Sequence, residues 1–325
     1  MTLLLIPLPG NEALAQSLAR ALRAASGSAL RPSPVAALGA ATVRRFADGE
    51  SYVRILSPVR GRAVAVVATL DRPDDKVLPL VFLAATARDL GAAAVGLVAP
   101  YLAYMRQDVR FRAGEGVTSS YFASLLSGAM DWLVTVDPHL HRRSNLGEIY
   151  RIPAEVVHAA PRVSAWIREH VPRPLLVGPD AESAQWVRAV ADAADAPCVV
   201  LEKVRRGDRD VSVSVPEVER WRDRTPVLVD DIIATARTMA ETVGHLRRGG
   251  LAAPVCVGVH AVFAEGAAEA LAAAGAARVI TCNTIAHPSN GIDLTVPLAE
   301  AVARAAGLEP SAPHAVAAGG GGGPA

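Results

Sequence analysis

The chain is poor in cysteine, has no excess of charge of either sign and contains no long apolar run. Its three cysteines, Cys198, Cys256 and Cys282, are an odd number and none stands in a C-x-x-C spacing. This argues against a disulfide framework and against a zinc ribbon, and it favours a reducing cytosol. Lysine and arginine number 33 against 32 aspartate and glutamate residues. That balance excludes general binding to nucleic acid or to a membrane surface and leaves open only a local basic patch.

The apolar runs and the composition of the two end segments argue against a membrane span and a signal peptide. No stretch of about 20 apolar residues without charge occurs, so no membrane span is predicted. The N-terminal segment has no basic region and its apolar run breaks at Pro7, which makes it a poor signal peptide. Residues 308–325 end in AAGGGGGPA, a composition that predicts a disordered tail. We therefore expect a cytoplasmic protein.

The length and the order of elements predict two α/β domains. At roughly 150 residues per domain, 325 residues make about two. Short β-branched runs alternate with Ala- and Leu-rich helical patterns, which is typical of βαβ units with a parallel sheet covered on both faces. The candidate strands are Leu3–Ile6, Ala63–Thr69, Ala94–Ala99, Trp132–Val136, Leu175–Val177, Cys198–Leu201, Val227–Val229, Val255–Val259 and Val279–Thr281. We predict domains at 1–150 and 151–307, followed by the tail 308–325.

Two segments interrupt this alternation. Thr42–Phe46 and Tyr52–Leu56 flank a turn that contains Asp-Gly, which predicts a β-hairpin. Arg205–Asp210 is a charged stretch ahead of Val211–Val215, which predicts a mobile loop leading into an exposed strand. Leu298–Ala306 is a final helical pattern, expected to pack back on the first domain.

The segment TPVLVDDIIATARTM, residues 225–239, is the most informative. It reads as a strand, two acids and the start of a helix, and ligands of open α/β sheets bind at the carboxyl ends of strands. The N-terminus of a helix offers N–H groups to phosphate. Asp230 and Asp231 could accept hydrogen bonds from a vicinal diol or help to hold a metal, so a sugar phosphate would suit the segment. The alternative is that Asp231 and Thr235 are ordinary helix caps.

Polar residues at the predicted hairpin and after a second strand suit a nucleotide. In Phe46-Ala-Asp48-Gly49-Glu50 an aromatic ring can stack on a base and the carboxylates can accept from an amine or a ribose hydroxyl. The alternative is a plain turn. Arg106 and Gln107 follow a predicted strand; arginine suits phosphate and glutamine can read an adenine edge. The alternative for this charged run is a solvated loop.

Two further pairs lie near strand ends. His139 and Asp180 each follow a strand, in different predicted domains, and a cleft between the domains could bring them together around Mg²⁺. A lone histidine is an unusual ligand for this hard cation, so the alternative is a hydrogen-bonded loop histidine. Lys203 and Arg205 stand where a strand enters the charged stretch, and the alternative for them is a solvated basic loop.

In combination, these segments resemble one family. VLVDDIIATARTM resembles the phosphoribosyl-diphosphate binding motif of type I phosphoribosyltransferases and ribose-phosphate pyrophosphokinases. Four others resemble motifs of the pyrophosphokinases: the F-x-D-G-E loop, the P-Y-x-x-Y-x-R-Q-D segment at Tyr101–Asp108, the D-x-H motif at Asp137–His139 and the P-D motif at Gly178–Asp180. All five occur in order between about residues 40 and 300. The chain is thus similar to ribose-phosphate pyrophosphokinases.

The resemblance implies a fold and a reaction. The fold has two similar phosphoribosyltransferase-type domains, each a mostly parallel sheet flanked by helices. The enzyme transfers the β,γ-diphosphoryl group of ATP to the C1 hydroxyl of ribose 5-phosphate, which gives 5-phosphoribosyl 1-diphosphate and AMP for nucleotide biosynthesis. Mg²⁺ is the implied cofactor. The hairpin would reach the ATP site of a neighbouring subunit of a homo-oligomer, and neither nucleic acid nor membrane is a partner.

The resemblance also assigns residues to roles. Lys203 and Arg205 would begin a flexible catalytic loop that closes over ATP and neutralises phosphate charge, and His139 and Asp180 would hold Mg²⁺. No side chain stands out as a general base. The ATP-binding set is Phe46, Asp48, Gly49, Glu50, Arg106 and Gln107. The ribose-5-phosphate set is Arg205, Asp230, Asp231, Ala234, Thr235, Ala236, Arg237 and Thr238.

The sequence departs from the family in two places. Many members have D-T-(G/A)-G-T where Ala234–Thr238 stands here, so Ala234 removes an acceptor and Arg237 adds a cation. RQDVRFRAGE differs from the segment common in phosphate-activated members, so control by phosphate or ADP is not assumed. A type I phosphoribosyltransferase and a non-catalytic regulatory relative are the alternatives. The first leaves FADGE, RQD and the second domain unexplained, and the second would be expected to lack Lys203 or Arg205.

Overall fold

A computed structural model describes residues 2–25, 36–178, 184–206, 210–214 and 218–308. These residues form two six-stranded parallel sheets and two antiparallel hairpins. The predicted tail beyond residue 308 lies outside the described residues. Among the helices of the described ranges, we find none with the length and apolar character needed to cross a membrane.

The first sheet has the strand order β2-β1-β5-β6-β7-β8, and β3 and β4 form a separate hairpin. The strands are β1 (Leu3–Pro7), β2 (Ala36–Leu38), β3 (Ala41–Arg45), β4 (Ser51–Ile55), β5 (Ala63–Val67), β6 (Ala94–Ala99), β7 (Trp132–Val136) and β8 (Ala154–Val157). The helices among and after them are α1 (Glu12–Ala25), α2 (Asp74–Asp89), α3 (Thr118–Ala129) and α4 (Ala160–His170).

The second sheet repeats this order as β10-β9-β13-β14-β15-β16, and β11 and β12 form the second hairpin. The strands are β9 (Pro174–Gly178), β10 (Cys198–Val200), β11 (Glu202–Arg206), β12 (Asp210–Ser214), β13 (Thr225–Ile233), β14 (Val255–Ala261), β15 (Arg278–Cys282) and β16 (Asn290–Ile292). The helices are α5 (Ala184–Ala194), α6 (Arg237–Arg248), α7 (Ala267–Ala274) and α8 (Thr295–Ala305). The predicted α/β class with two similar, mostly parallel sheets is confirmed.

Both faces of each sheet are buried, as the continuous apolar strands predict. One face of the first sheet packs under α2 and α3, and the cluster between them includes Leu97 of β6 and Leu126 of α3. One face of the second sheet packs under α6 and α7, and the cluster between them includes Val243 of α6 and Leu271 of α7. The remaining faces share a single cluster with α1, α4, α5 and α8. Because each buried aliphatic side chain contributes about 1.5–3 kcal/mol, this shared cluster holds the two sheets together.

Two helices connect the halves by packing outside their own sheet. Helix α8 packs against α1, β7 and β8, which confirms that the last helical pattern returns to the first half. In the same way α4 packs against α5 and β16. Strand β8 follows residue 150 in the sequence yet pairs with β7. The domain limits 1–150 and 151–307 stay a prediction.

The two halves use equivalent residues at the ends of equivalent strands. Asp137 follows β7, and its carboxylate accepts a hydrogen bond at 2.9 Å from the N–H of Ala159, next to the start of α4. Asn283 follows β15, and its side-chain oxygen accepts a hydrogen bond at 2.8 Å from the N–H of Leu294, next to the start of α8. Asp137 and Asn283 therefore occupy the same position in the two sheets.

The strand registers extend this equivalence to the carboxyl ends of the neighbouring strands in both sheets. Counting across the paired strands from β7 to β5 and from β15 to β13 aligns Thr69 with Asp231. The same count aligns Tyr101 with His260. The second sheet thus carries an acid and a histidine where the first carries a threonine and a tyrosine.

The charged stretch Arg205–Asp210 is partly β-strand, so its prediction as a loop is wrong at its ends. Strands β11 and β12 pair antiparallel, with Lys203 opposite Val213 and Arg205 opposite Val211. On β12 valine alternates with aspartate and serine, and this period of two is a β pattern; β11 has a single valine among charged residues and pairs along its whole length with β12. The residues between the two strands lie outside the described residues.

Candidate active site

The carboxyl ends of the two sheets meet, and a hydrogen bond joins them near the acid doublet. The loop after β7 carries His139, and the end of β13 carries Asp231. The His139 Nδ1 atom lies 2.6 Å from Oδ2 of Asp231. Their side chains are 21% and 23% exposed, so the pair is shielded on most sides and open to a ligand on the remainder.

Asp231 is held in its ionised form. Burial raises its pKa, but the hydrogen bond and charge of His139 and the hydrogen bond with Asp230 outweigh burial and bring the pKa below its usual range. Asp230 also accepts the backbone N–H of Asp231 through Oδ1 at 3.0 Å. A carboxylate fixed in this state can accept hydroxyl donors or bind a hard cation.

The turn after β7 has an unusual backbone that several contacts hold. Asp137 has φ +28°, a value that is sparsely populated by residues other than glycine. Its N–H donates to the carbonyl of Val157 at 3.0 Å, and its carboxylate meets the N–H of Ala159 and, at 3.0 Å, the Nδ1 of His158. Its carbonyl oxygen lies 3.3 Å from Nε2 of His260. Such a conformation costs about 1–3 kcal/mol and persists where surrounding contacts over-determine it.

His260 is buried at the boundary between the two sheets. Its Nδ1 lies 2.9 Å from the hydroxyl of Thr284, and its ring packs edge-on against Tyr101 with centroids 5.0 Å apart. The carbonyl of Thr284 accepts a hydrogen bond from the hydroxyl of Thr69 at 2.8 Å. Burial lowers the pKa of His260, so its imidazole is neutral. Two residues of the second half therefore make polar contacts with the first half: His260 with Asp137, and Thr284 with Thr69.

The segment 230–238 ends a strand and begins a helix, as predicted. Helix α6 begins at Arg237, with Ala236 as its N-cap, and no side-chain hydrogen bond of the described residues caps it. Ala236 is buried and has φ +57°, whereas Thr235 is exposed. The alternative in which Asp231 and Thr235 are ordinary caps is therefore wrong. The first N–H groups of a helix have no partner within the helix and attract anions.

The neighbouring strand holds this loop through its main chain. The N–H of Phe263 donates to the carbonyl of Ile233 at 2.9 Å, and the N–H of Ala264 donates to the carbonyl of Ala234 at 3.0 Å. Thr238 is exposed in the first turn of α6. Main-chain hydrogen bonds thus fix the shape of the loop, and backbone rigidity of this kind suits a phosphate cradle.

Three metal-ligating side chains meet beside this loop: His139, His141 and Asp231. One ligand atom of each lies within 4.8 Å of the others, and the two imidazole rings are 3.8 Å apart. Asp180, predicted as the partner of His139, lies outside the described residues. Mg²⁺ takes few protein ligands and keeps waters and substrate phosphates around it. This donor set fits such a cation when Asp231 supplies the oxygen ligand.

A cavity of about 680 Å³ opens beside these side chains. Asp230, Asp231 and His141 form part of its polar wall, and Trp186 forms part of its apolar wall. Small-molecule sites span roughly 300–1,000 Å³. The cavity has the size of a small-molecule site, but its wall runs along β8, α4 and α5 and includes none of residues 234–238.

The β3–β4 hairpin is present as predicted and carries Phe46, Asp48, Gly49 and Glu50 at its tip. The N–H of Phe46 donates to the carbonyl of Glu50 at 2.8 Å, and Asp48 accepts the N–H of Glu50 at 3.1 Å. Gly49 has φ +93°, which glycine adopts without steric cost. These contacts shape the turn and leave the Phe46 ring 45% exposed.

A cation lies against the aromatic rings of the hairpin. The guanidinium of Arg44 is 4.7 Å from the ring centroid of Phe46 and 4.3 Å from that of Tyr52. An ion pair of 2.7 Å between Arg45 and Asp75 ties the hairpin to α2. The tip thus offers an aromatic face with positive charge beside it, a combination that suits the base and phosphates of a nucleotide.

The loop after β6 places the predicted pair Arg106 and Gln107. Arg106 is exposed, and the Gln107 carbonyl accepts the N–H of Ser119 at 3.3 Å. The side chain of Asp108 is only 2% exposed and lies 3.1 Å from Nη1 of Arg142. Asp108 therefore anchors the loop at the position that follows the pair.

Lys203 and Arg205 lie on β11 of the second hairpin. Their side chains are outside what the structure describes, so the catalytic role that the resemblance implies for them stays a prediction. The hairpin directly follows β10, the edge strand beside β9 of the second sheet.

Sequence reasoning passed over three residues of this site. The D-x-H motif draws attention to His139 alone, whereas the structure brings the ring of His141 against that of His139. Asp137 was only part of a motif, and its carboxylate and carbonyl prove to fix the turn. His260 directly follows the predicted strand Val255–Val259. Asp230 was singled out as a polar residue at the carboxyl end of an apolar strand, and the same criterion applies to His260.

Comparison with known proteins gives this site a context. Residues 3–129 match the family model described as the N-terminal domain of ribose phosphate pyrophosphokinase, and residues 145–297 match the phosphoribosyl transferase domain. The chain is 33% identical to the ribose-phosphate pyrophosphokinase of Methanothermobacter thermautotrophicus over 243 residues, which are 74% of this chain and 84% of that protein. It is also 33% identical to the enzyme of Methanopyrus kandleri over 265 residues, 81% of this chain and 90% of that protein.

A solved structure agrees with these matches. The crystal structure of phosphoribosylpyrophosphate synthetase from Mycobacterium smegmatis superposes with a TM-score of 0.80 and 25% sequence identity, covering 94% of this chain and 99% of that chain. The fold of two phosphoribosyltransferase-type domains that the resemblance implied is thereby confirmed. The chain belongs to the ribose-phosphate pyrophosphokinase family.

Proposed function

We propose that the chain transfers the β,γ-diphosphoryl group of ATP to C1 of ribose 5-phosphate at the junction of its two sheets. The observation that carries this location is the contact between His139 and Asp231. It brings the loop after β7 to the acid doublet of the second half, which supports a site at this junction. The products are 5-phosphoribosyl 1-diphosphate and AMP.

Ribose 5-phosphate would bind along residues 230–238. The carboxylates of Asp230 and Asp231 would accept the ribose hydroxyls, while the backbone of 234–238 and the first turn of α6 would hold the 5-phosphate. Arg237 adds a cation at that turn. The positive φ of Ala236 and the main-chain bonds of the loop support this assignment.

ATP would bind between the loop after β6 of one subunit and the β3–β4 hairpin of its neighbour. The exposed Phe46 ring would stack on the adenine, Asp48 and Glu50 would accept its polar donors, and Arg106 and Gln107 would contact the nucleotide from the other side. We propose that the hairpin serves the site of a neighbouring subunit in a homo-oligomer. The exposure of its tip supports this arrangement.

Asp231 and His139 would hold Mg²⁺ together with phosphate oxygens and water, and Asp180 is proposed as a further ligand. When bound, the ion would neutralise phosphate charge and align the β-phosphorus. The residues of the chain would then position the C1 hydroxyl for in-line attack, because phosphoryl-type transfer depends chiefly on positioning and charge. Lys203 and Arg205 would neutralise the charge that develops on the phosphates. We assign no general base.

An activity measurement tests the proposal. Purified protein is mixed with ATP, Mg²⁺ and ribose 5-phosphate, and AMP is quantified; AMP should form in proportion to ribose 5-phosphate. Ribose without the phosphate is the matched control and should give little AMP. A phosphoribosyltransferase would instead consume 5-phosphoribosyl 1-diphosphate with a base, and a regulatory relative would turn over neither mixture. Absence of AMP across a range of phosphate concentrations contradicts the proposal.

The site can be tested without turnover. A crystal soaked with ribose 5-phosphate should show the sugar beside residues 230–238, and a sugar bound anywhere else contradicts the assignment. The cytoplasmic location expected from the sequence stays a prediction.

A further inference from the structure

We propose that His260 is a positioning residue: it holds the carbonyl of Asp137 and thereby fixes the turn that sets His139 against Asp231. Its catalytic consequence rests on the proposed function. His260 does not need to touch substrate for this role, because it acts from inside the protein on the backbone two residues before His139.

The hydrogen-bond chemistry of His260 defines one state of its ring. A carbonyl oxygen can only accept, so the Nε2 atom that lies 3.3 Å from the Asp137 carbonyl must carry the proton. On the other side of the ring, the hydroxyl of Thr284 lies 2.9 Å from Nδ1 and 2.9 Å from the carbonyl of Val259, so its one proton is shared between two acceptors. The Asp137 carbonyl and the Thr284 hydroxyl hold the buried ring between them and set its orientation.

The turn that His260 contacts needs such support. Asp137 has φ +28°, a backbone value that persists only where surrounding contacts hold it. The N–H and carboxylate of Asp137 bond to β8 and to the start of α4, so those contacts fix the turn from within its own half. The bond from His260 fixes it relative to the other half.

His260 belongs to the same rigid frame as Asp231. It lies on β14, opposite Ile232 of β13 in the parallel register, and is therefore a near neighbour of Asp231 through the strand ladder. Its ring also packs edge-on against Tyr101 of the first half. Strand pairing thus fixes His260 relative to one member of the His139–Asp231 contact, and the hydrogen bond to Asp137 fixes it relative to the other.

The test compares two substitutions at this position. His260→Phe keeps an aromatic ring against Tyr101 but leaves the Asp137 carbonyl without its donor. We expect kcat to fall about 10- to 100-fold, the range seen when a supporting hydrogen bond behind a ligand or reacting group is lost. His260→Gln can still donate to a carbonyl and should recover much of that loss. KM for ATP should change little in both variants.

Thr281→Val serves as the matched control. It removes a buried hydroxyl on the adjacent strand β15, which bonds to Ser289 and Asn290 inside the second half. This variant should lose stability and keep its kcat. If Thr281→Val loses kcat as far as His260→Phe does at equal loss of thermal stability, the role of His260 is merely structural and the proposal is overturned.

A second readout needs no turnover. In the ligand-free protein, ¹⁵N NMR of the His139 ring should show one fixed tautomer, and His260→Phe should average its two nitrogen signals. This result decides the proposal even if the wild-type chain forms no AMP, so the two failures are distinguishable. An unchanged His139 spectrum, or a wild-type kcat in His260→Phe, overturns it. If His260→Phe does not fold, Thr284→Val, which removes the Nδ1 partner together with a hydrogen bond to the Val259 carbonyl, should shift both readouts in the same direction, and no shift overturns the proposal.

Discussion

His139 and Asp231 lie in different halves of the chain, yet their side chains share a hydrogen bond of 2.6 Å. The bond helps to keep the Asp231 carboxylate ionised against the effect of its burial. Because His139 lies on a loop of the first sheet and Asp231 lies near the end of strand β13 of the second, any relative shift of the halves changes their distance. The contact is therefore a direct reporter of the geometry of the site.

Replacing His139 should separate its role from that of its neighbour. We expect His139→Gln to lower kcat by roughly 10- to 100-fold and to raise the Mg²⁺ concentration needed for half-maximal activity, since a ligand or its immediate support is lost. His141→Gln is the matched control and should have a smaller effect. Magnesium titrations of both variants test this prediction. A larger effect in His141→Gln than in His139→Gln would assign the support of Mg²⁺ to His141 instead of His139.

Asp230→Asn should raise KM for ribose 5-phosphate by about tenfold or more, because a hydrogen bond between a charged acceptor and a hydroxyl is worth roughly 1.5–3 kcal/mol. KM for ATP should be nearly unchanged. Asp223→Asn, at an exposed ion pair with Arg173, is the control for loss of one carboxylate. Steady-state kinetics with each substrate varied in turn measure both KM values. An unchanged KM for ribose 5-phosphate in Asp230→Asn would show that the sugar does not bind at Asp230.

Lys203→Ala should lower kcat far more than it weakens ATP binding, because the cation is proposed to act chiefly in the transition state. Lys203→Arg should restore part of the rate. Arg206→Ala removes a charge from the same strand and serves as the control. Turnover and nucleotide binding are measured separately, and a normal kcat in Lys203→Ala would remove this residue from the mechanism.

Mixing two inactive variants tests the shared ATP site. Phe46→Ala damages the hairpin tip and Lys203→Ala damages the body of the site. If each site combines the tip of one subunit with the body of its neighbour, a mixed pair regains one intact site, and a 1:1 mixture after subunit exchange should approach roughly a quarter of wild-type activity for a symmetric dimer. A mixture as inactive as its components, or a monomeric active enzyme by solution mass, contradicts the arrangement.

The His158–Asp137 contact predicts a small dependence of stability on pH. The hydrogen bond to Asp137 raises the pKa of His158 above its usual range, although burial opposes this. A raised pKa in the folded state contributes stability below the unfolded value of about 6.5, and this contribution is lost as pH rises through the folded pKa. Because the His158 side chain is 74% exposed, we expect less than about 1 kcal/mol.

Urea unfolding between mildly acidic and mildly alkaline pH measures this dependence. In His158→Gln the additional stability on the acidic side should disappear. The carboxylate of Asp137 still accepts the N–H of Ala159 in that variant, so the turn itself should persist. Equal pH dependence in both proteins would show that the ion pair contributes nothing measurable.

The interior of both sheets could be predicted because its strands are apolar on both faces. In the two large sheets, the strands that the sequence missed, β2, β8 and β16, are three or four residues long and lie at sheet edges; outside them it also missed β11, whose charged residues predicted a loop. An edge strand pairs on one side only and is partly exposed, so it needs no apolar run. The Asn290–Ile292 strand, for example, contains a single aliphatic side chain.

The site could be predicted in its parts but not in its pairings. Asp230, Asp231 and His139 were found because polar residues at the carboxyl ends of apolar strands are unusual. The partner of His139 depends on how the two sheets face each other, which no local pattern encodes. The same limit applies to His260, whose hydrogen bond reaches Asp137 across 123 positions of sequence.

The match between Thr69 and Asp231 separates the frame of this protein from its chemistry. The strand pairing around these two positions is alike. The two halves therefore differ here in their side chains and not in their backbone architecture. Each half can therefore change its ligand through single substitutions while the architecture of the other half is unchanged. Such independence suits an enzyme that binds two dissimilar substrates at once.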